Sequence, residues 1–108
     1  MGGAEEEVYD DGCLRVEHNN YYATCRGGRM QFTRAEFLLL SRLVRNPDRV
    51  VKSEELWQHV FGDTRPYNPD SLHVQMYRVR KRLSPFGISV KSMPNVGYSI
   101  SLAGCCHS

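Results

Sequence analysis

The chain has 108 residues, 14 Lys and Arg against 12 Asp and Glu, and a formal net charge of +2, a length that leaves room for one domain and excludes a multidomain reading. With 41% hydrophobic and 24% charged residues, its composition is that of an ordinary folded domain and excludes general disorder. The longest apolar run, Phe37 to Leu40, is too short to span a bilayer, and the acidic start, Met1 to Glu7, lacks the apolar stretch of a secretory signal, so a soluble, cytoplasmic domain is expected.

Residues 1–7 are expected as an acidic tail and residues 103–108 as a second tail. From Val8 to Thr33 the pattern is strand-like and broken by turns. Leu14-Arg15-Val16-Glu17 alternates, His18-Asn19-Asn20 interrupts, Tyr21 to Cys25 follows, and Arg26-Gly27-Gly28-Arg29 reads as a hairpin loop before Met30-Gln31-Phe32. Thr33-Arg34-Ala35-Glu36 is a capping box that opens a helix running to about Arg45, with Phe37, Leu40 and Val44 towards a core. Asn46-Pro47 stops it. Arg49-Val50-Val51 can form a short strand, and Ser53 is the expected cap of a second helix, with Glu54 and Glu55 at the favourable end of its dipole and Gly62 at its end. After the loop Asp63 to Tyr67, Asn68-Pro69 opens a third helix as cap and first-turn proline, and Ser84-Pro85 closes it. Ile88 and Val90, then Tyr98, Ile100 and Leu102, return to period two around a turn at Pro94-Asn95-Val96-Gly97. The fold class is therefore α+β: an N-terminal antiparallel sheet, three helices and a C-terminal β-hairpin.

The small net charge conceals a polar layout. Residues 1–17 carry −5, whereas residues 65–91 carry +5, from Arg65, Arg78, Arg80, Lys81, Arg82 and Lys91 against Asp70. A solvated helix face usually carries both signs; one acid among six bases is the footprint of an anionic partner. On the third helix, Leu72, Met76, Val79 and Leu83 fall on one stripe at 100° per residue. Val74, Tyr77, Arg78 and Lys81 occupy the opposite face, with Asp70, Ser71, His73 and Arg82 towards its edges and Gln75 and Arg80 flanking the core stripe. A helix lying in a DNA major groove needs this set: an Arg fork for guanine, a Val methyl surface for thymine, and flanking cations for phosphates.

Several ordered motifs extend that reading. Phe32-Thr33-Arg34-Ala35-Glu36-Phe37-Leu38-Leu39-Leu40, Val50 to Leu56, His59-Val60-Phe61-Gly62, Leu72 to Leu83 and Asn95-Val96-Gly97-Tyr98 together resemble the OmpR/PhoB-type winged-helix effector domain of bacterial two-component response regulators, over roughly Leu14 to Ile100. The resemblance implies a winged-helix DNA-binding domain over residues 8–102, with a four-stranded N-terminal sheet, a third helix in the major groove and a hairpin wing beside the backbone or minor groove. It places Val74 and Arg78 at base-contact positions with Ser71 near them, Gln75, Tyr77 and Arg80 at backbone-contact positions, and Phe61 where the family has a Trp near phosphate. Arg80 and Arg82, off the centre of the exposed face, are expected on the phosphate side; Lys81 completes the helix set, and Lys91, Ser92 and Asn95 complete it on the wing. Gln75 replaces a usual His, His73 a common Asp, Asn95 a Gly, and Pro94 stands where many members carry an Arg. The implied partners are double-stranded DNA, as tandem half-sites bound by a monomeric domain, and RNA polymerase at the Asp63–Asn68 loop. The family's receiver domain has no room in 108 residues, so an excised effector domain or control by another fused domain is expected.

The alternative reading is a winged-helix protein-interaction module without specific DNA binding. Cys13, Cys25, Cys105 and Cys106 show no metal-ligand spacing, and no nucleophile elbow, phosphate loop or zinc motif is present. No cofactor, no metal and no enzymatic activity are expected.

Overall fold

The computed structural model describes residues 8–102. The two expected tails, and with them Cys105, Cys106 and His107, lie outside the described residues. Four short strands, β1 (Val8–Asp10), β2 (Leu14–Glu17), β3 (Tyr22–Cys25) and β4 (Gly28–Met30), form an antiparallel meander in the order β1-β2-β3-β4. Leu14, Val16, Ala23, Cys25 and Met30 turn inward from it, while Arg15 on the outer face bridges Asp10 and Glu17, each at 2.9 Å.

Helix α1 (Arg34–Val44) begins with the expected capping box: Glu36 N donates to Thr33 Oγ1, and Thr33 N donates back to Glu36 Oε1. Nearly every residue of α1 from Glu36 to Val44 is buried, because this helix has the meander, α2 (Ser53–Phe61), α3 (Pro69–Leu83) and the C-terminal hairpin around it. A second sheet, in the order β5-β7-β6, joins β5 (Val51–Lys52), β6 (Ser89–Met93) and β7 (Gly97–Ser101). Val51 pairs with Tyr98, and Val90 with Ile100. One apolar core runs through both sheets and all three helices.

Five boundaries differ from the sequence reading. Ser53 does not cap α2; it is the first helical residue, and Lys52 holds the cap position without a side-chain bond. The reason is that β5 stays paired through Lys52, opposite Gly97, so Lys52 is the last extended residue and α2 starts directly off the strand; the Ser53 amide, one of the helix's orphan donors, donates to Val96 O of the hairpin. The strand expected at Arg49 begins at Val51, because Arg49 N closes a turn on Asn46 O while Asp48 N reaches Ile100 O. Tyr21, expected in a strand, takes a left-handed φ of 53° and packs its ring 5.3 Å from that of Phe37. Gly28 and Gly97, read as turn residues, are the first residues of β4 and β7.

Candidate nucleic-acid interface

Helix α3 is placed by caps, core and two arginine ties. Asn68 Oδ1 accepts from Asp70 N and Ser71 N, satisfying two of the orphan amides at the helix start, and Pro69 occupies the first turn where its missing N–H costs nothing. Leu72, Met76, Val79 and Leu83 are all buried, each contributing about 1.5–3 kcal/mol of apolar burial. The helix stops at Ser84, followed by a 3-10 turn, Ser84–Phe86, whose end is turned by Gly87 in the left-handed region.

The opposite face is open. Val74 and Tyr77 are about half exposed, at 47% and 52%, and Arg78 and Lys81 are exposed. Lys81 Nζ stands 5.5 Å above the Tyr77 ring. Arg78 has no hydrogen bond or ion pair among the described residues, so its guanidinium is available in full. Ser71 and His73 are exposed on the first turns.

Three predicted site residues are already engaged within the fold. Arg80 Nε donates to Val90 O at 3.1 Å, tying α3 to the first wing strand. Arg82 Nε donates to Glu36 Oε1 at 2.8 Å, and because Glu36 is buried, this pair fastens the end of α3 to the cap of α1. The Arg82 side chain remains 48% exposed. Phe61 is half-buried against Trp57, ring centroids 4.4 Å apart, with the Arg65 guanidinium 5.0 Å over its outer face. Gln75 is half-buried, and its Oε1 is enclosed without a hydrogen-bond donor among the described residues.

The wing stands beside this face. Lys91, Ser92, Met93, Pro94, Asn95 and Val96 are all exposed, and Asn95 holds a left-handed φ of 64° at the tip. Between the wing and the start of α3 lies a groove of about 590 Å³, with Tyr67, Leu72, His73, Met93 and Tyr98 among its walls. Burial and the neighbouring Tyr67 push the Tyr98 phenol up from its ordinary value, partly offset by Arg80, so it remains a neutral hydroxyl. The loop from Asp63 to Asn68 is exposed throughout, and its course is fixed by Trp57 Nε1 donating to Arg65 O at 3.1 Å.

Sequence reasoning brought α3 and the wing together correctly as one surface. It missed Arg65 as the cation beside Phe61 and the apolar wing tip of Met93 and Val96. The aromatic spacing of Trp57 and Phe61 at i, i+4 was a usable signal for the first; nothing local signals the second.

The sequence profile of the family described as "Transcriptional regulatory protein, C terminal" matches residues 27–100. The response regulator ArlR of Staphylococcus haemolyticus is 26% identical over 98 residues, covering 89% of this chain and 45% of that protein. The chain thus spans under half the length of the curated relatives that it matches. Among solved structures, the DNA-binding domain of Klebsiella pneumoniae RstA in complex with the RstA box superposes with a TM-score of 0.72 at 23% identity, covering 88% of this chain and 97% of that one. Thermotoga maritima DrrB, an OmpR/PhoB homologue, superposes with a TM-score of 0.69 at 26% identity, over 87% of this chain and 44% of that one. The fold is a winged helix.

Proposed function

The chain belongs to the transcriptional regulatory protein C-terminal family, the OmpR/PhoB-type winged-helix domains, and from that premise we propose that residues 8–102 bind double-stranded DNA sequence-specifically as the effector part of a response-regulator-type transcription factor. The carrying observation is the open face of α3, where an unengaged Arg78 stands one turn beyond an exposed Val74 on a helix whose other side is wholly buried. Val74 and Arg78, with Ser71, face bases. Tyr77, Lys81 and Gln75 line the sugar–phosphate walls, Phe61 with Arg65 flanks the entry, and Lys91, Ser92 and Asn95 meet the strand under the wing. Arg80 and Arg82 keep their outer guanidinium N–H groups for phosphates while Nε holds the fold. The domain carries no catalytic chemistry in this reading.

Arg78→Ala is expected to cost about 1–3 kcal/mol on the selected site and little on random duplex. Site selection from random DNA followed by titration of both duplexes checks this. Equal losses on both would reassign Arg78 to the backbone, and no preference among duplexes would favour a protein-interaction module. Lys81→Ala is expected to weaken all sequences alike and to reduce the salt dependence by about one phosphate contact.

The domain alone is a monomer that binds tandem half-sites about 10 bp apart, one copy each. The core stripe of α3 is consumed by internal packing, which leaves no coiled-coil seam on it. A tandem fusion should bind far more tightly than one copy through effective concentration; a stable dimer in sedimentation without DNA would contradict this arrangement. The exposed, internally braced loop from Asp63 to Asn68 is the surface offered to RNA polymerase. No helix among the described residues is long and apolar enough to cross a membrane, in keeping with a regulator that works in the cytoplasm.

A further inference from the structure

Two thiols meet at one end of the meander, where β3 ends beside the start of β2. Cys13 Sγ and Cys25 Sγ lie 3.9 Å apart. The backbone around them is held by other bonds: Cys13 O accepts from Arg26 N at 2.8 Å, Cys13 N donates to Asp11 Oδ1 at 2.9 Å, and Leu14 pairs with Cys25 in the next register position. Cys13 precedes β2, in the bend after Gly12, whose φ is +89°. Its side chain can therefore rotate without breaking the ladder. A disulfide needs the sulfurs about 2 Å closer, at ~2.05 Å, a displacement within reach of side-chain rotation between the bend before β2 and the end of β3. The two thiols also differ in access: Cys13 is half-buried, whereas Cys25 is 1% exposed.

We propose that Cys13 and Cys25 form a reversible disulfide by exchange with low-molecular-weight disulfides. The Cys13 thiolate attacks one sulfur of the external disulfide, forming a mixed disulfide and releasing one thiolate. The Cys25 thiolate then attacks Cys13 Sγ and releases the second. The pair loses two electrons and two protons, and the external disulfide takes them up as two thiols. Cys13 acts first because the small molecule cannot reach buried Cys25, and Cys25 resolves because its Sγ lies 3.9 Å from Cys13 Sγ. The bond braces a strategic corner. Arg26, the next residue after Cys25, donates Nη2 to Phe86 O at 3.4 Å, on the turn that ends α3, so the closed pair restrains the hairpin against which that end rests.

The test equilibrates the full chain with oxidised and reduced glutathione over a range of ratios, then maps disulfides by non-reducing trypsin digestion. Cleavage after Arg15 and Arg26 separates Cys13 from Cys25 and both from Cys105 and Cys106. The expected result is a cross-link between peptides 1–15 and 16–26, a mass loss of two hydrogens, and a Tm about 10 °C above the reduced form, since the bond closes a short loop in the unfolded chain. Cys13→Ser and Cys25→Ser should each abolish the Tm difference; should Cys25→Ser fold poorly, Cys13→Ser alone carries the test. A bond mapped to Cys105 or Cys106, Cys13 stalled as a glutathione adduct, a bound zinc ion shielding both thiols, or an unchanged Tm would each overturn the proposal. None of these readouts involves DNA, so they stand apart from the success or failure of the DNA-binding reading.

Discussion

A Gly97→Ala chain is expected to melt roughly 15 °C below its parent, a loss of about 3 kcal/mol for a domain of this size. A Cβ at Gly97 would lie 1.9 Å from Val51 O and 2.8 Å from the Val51 carbonyl carbon, both backbone atoms. No rotamer can relieve such a clash. Strand β5 must move away from β7, breaking the Lys52–Gly97 and Val51–Tyr98 pairing and the Ser53 N to Val96 O bond from which α2 departs. Thermal unfolding by circular dichroism measures the effect. Gly28→Ala is the control: its Cβ would meet Cys25 O at 3.4 Å, an ordinary contact, and its Tm should shift by a few degrees at most. If the two variants melt alike, the close approach at Gly97 is not what holds this corner.

Glu36→Ala is the second large effect, with an expected loss of about 2–4 kcal/mol. One carboxylate oxygen, Oε1, accepts from both Thr33 N and Arg82 Nε, and the residue is 1% exposed. Alanine therefore removes half of a capping box and the anchor of Arg82, and leaves a small void. Glu36→Gln separates the contributions, because its amide oxygen can still accept from Thr33 N but brings no charge to Arg82. The Gln variant should recover part of the lost stability, and DNA affinity should fall in both as the end of α3 loosens. A Gln variant as unstable as Ala would assign the whole effect to the Arg82 pair.

The helices were legible because their signals are local. The Thr33–Glu36 box, the Asn68-Pro69 opening, Gly62 and the four-residue core stripe of α3 are each written within one or two turns, and each appears as read. The errors fell where a distant segment decided the local structure. Ser53 has every local attribute of a cap, yet the pairing of Lys52 with Gly97 of the far hairpin makes Lys52 the last extended residue. Arg80 and Arg82 show the same limit at the candidate site. Their angular positions on α3 were right, but their partners, Val90 O and the Glu36 carboxylate, lie on other elements that helical periodicity does not report. The burial of Glu36 was equally invisible, since a capping glutamate normally stays in water and this one is covered by the elements around it.

The pairing of β5 with β7 also bears on when the domain can form. Val51 meets Tyr98 only after α2, α3 and β6 have been laid down between them, a contact of long sequence separation whose loop must close before its bonds compensate. A chain emerging from the ribosome can form the meander early and the helices as they appear, but α2 has no paired strand to start from until Gly97 to Ile100 have cleared the exit tunnel. Until then the apolar sides of α1 and α3 stand partly uncovered, the condition under which nascent chains recruit chaperones or aggregate. Synthesis held with Gly97 to Ile100 still inside the tunnel should therefore lower soluble yield more than synthesis held once they have emerged.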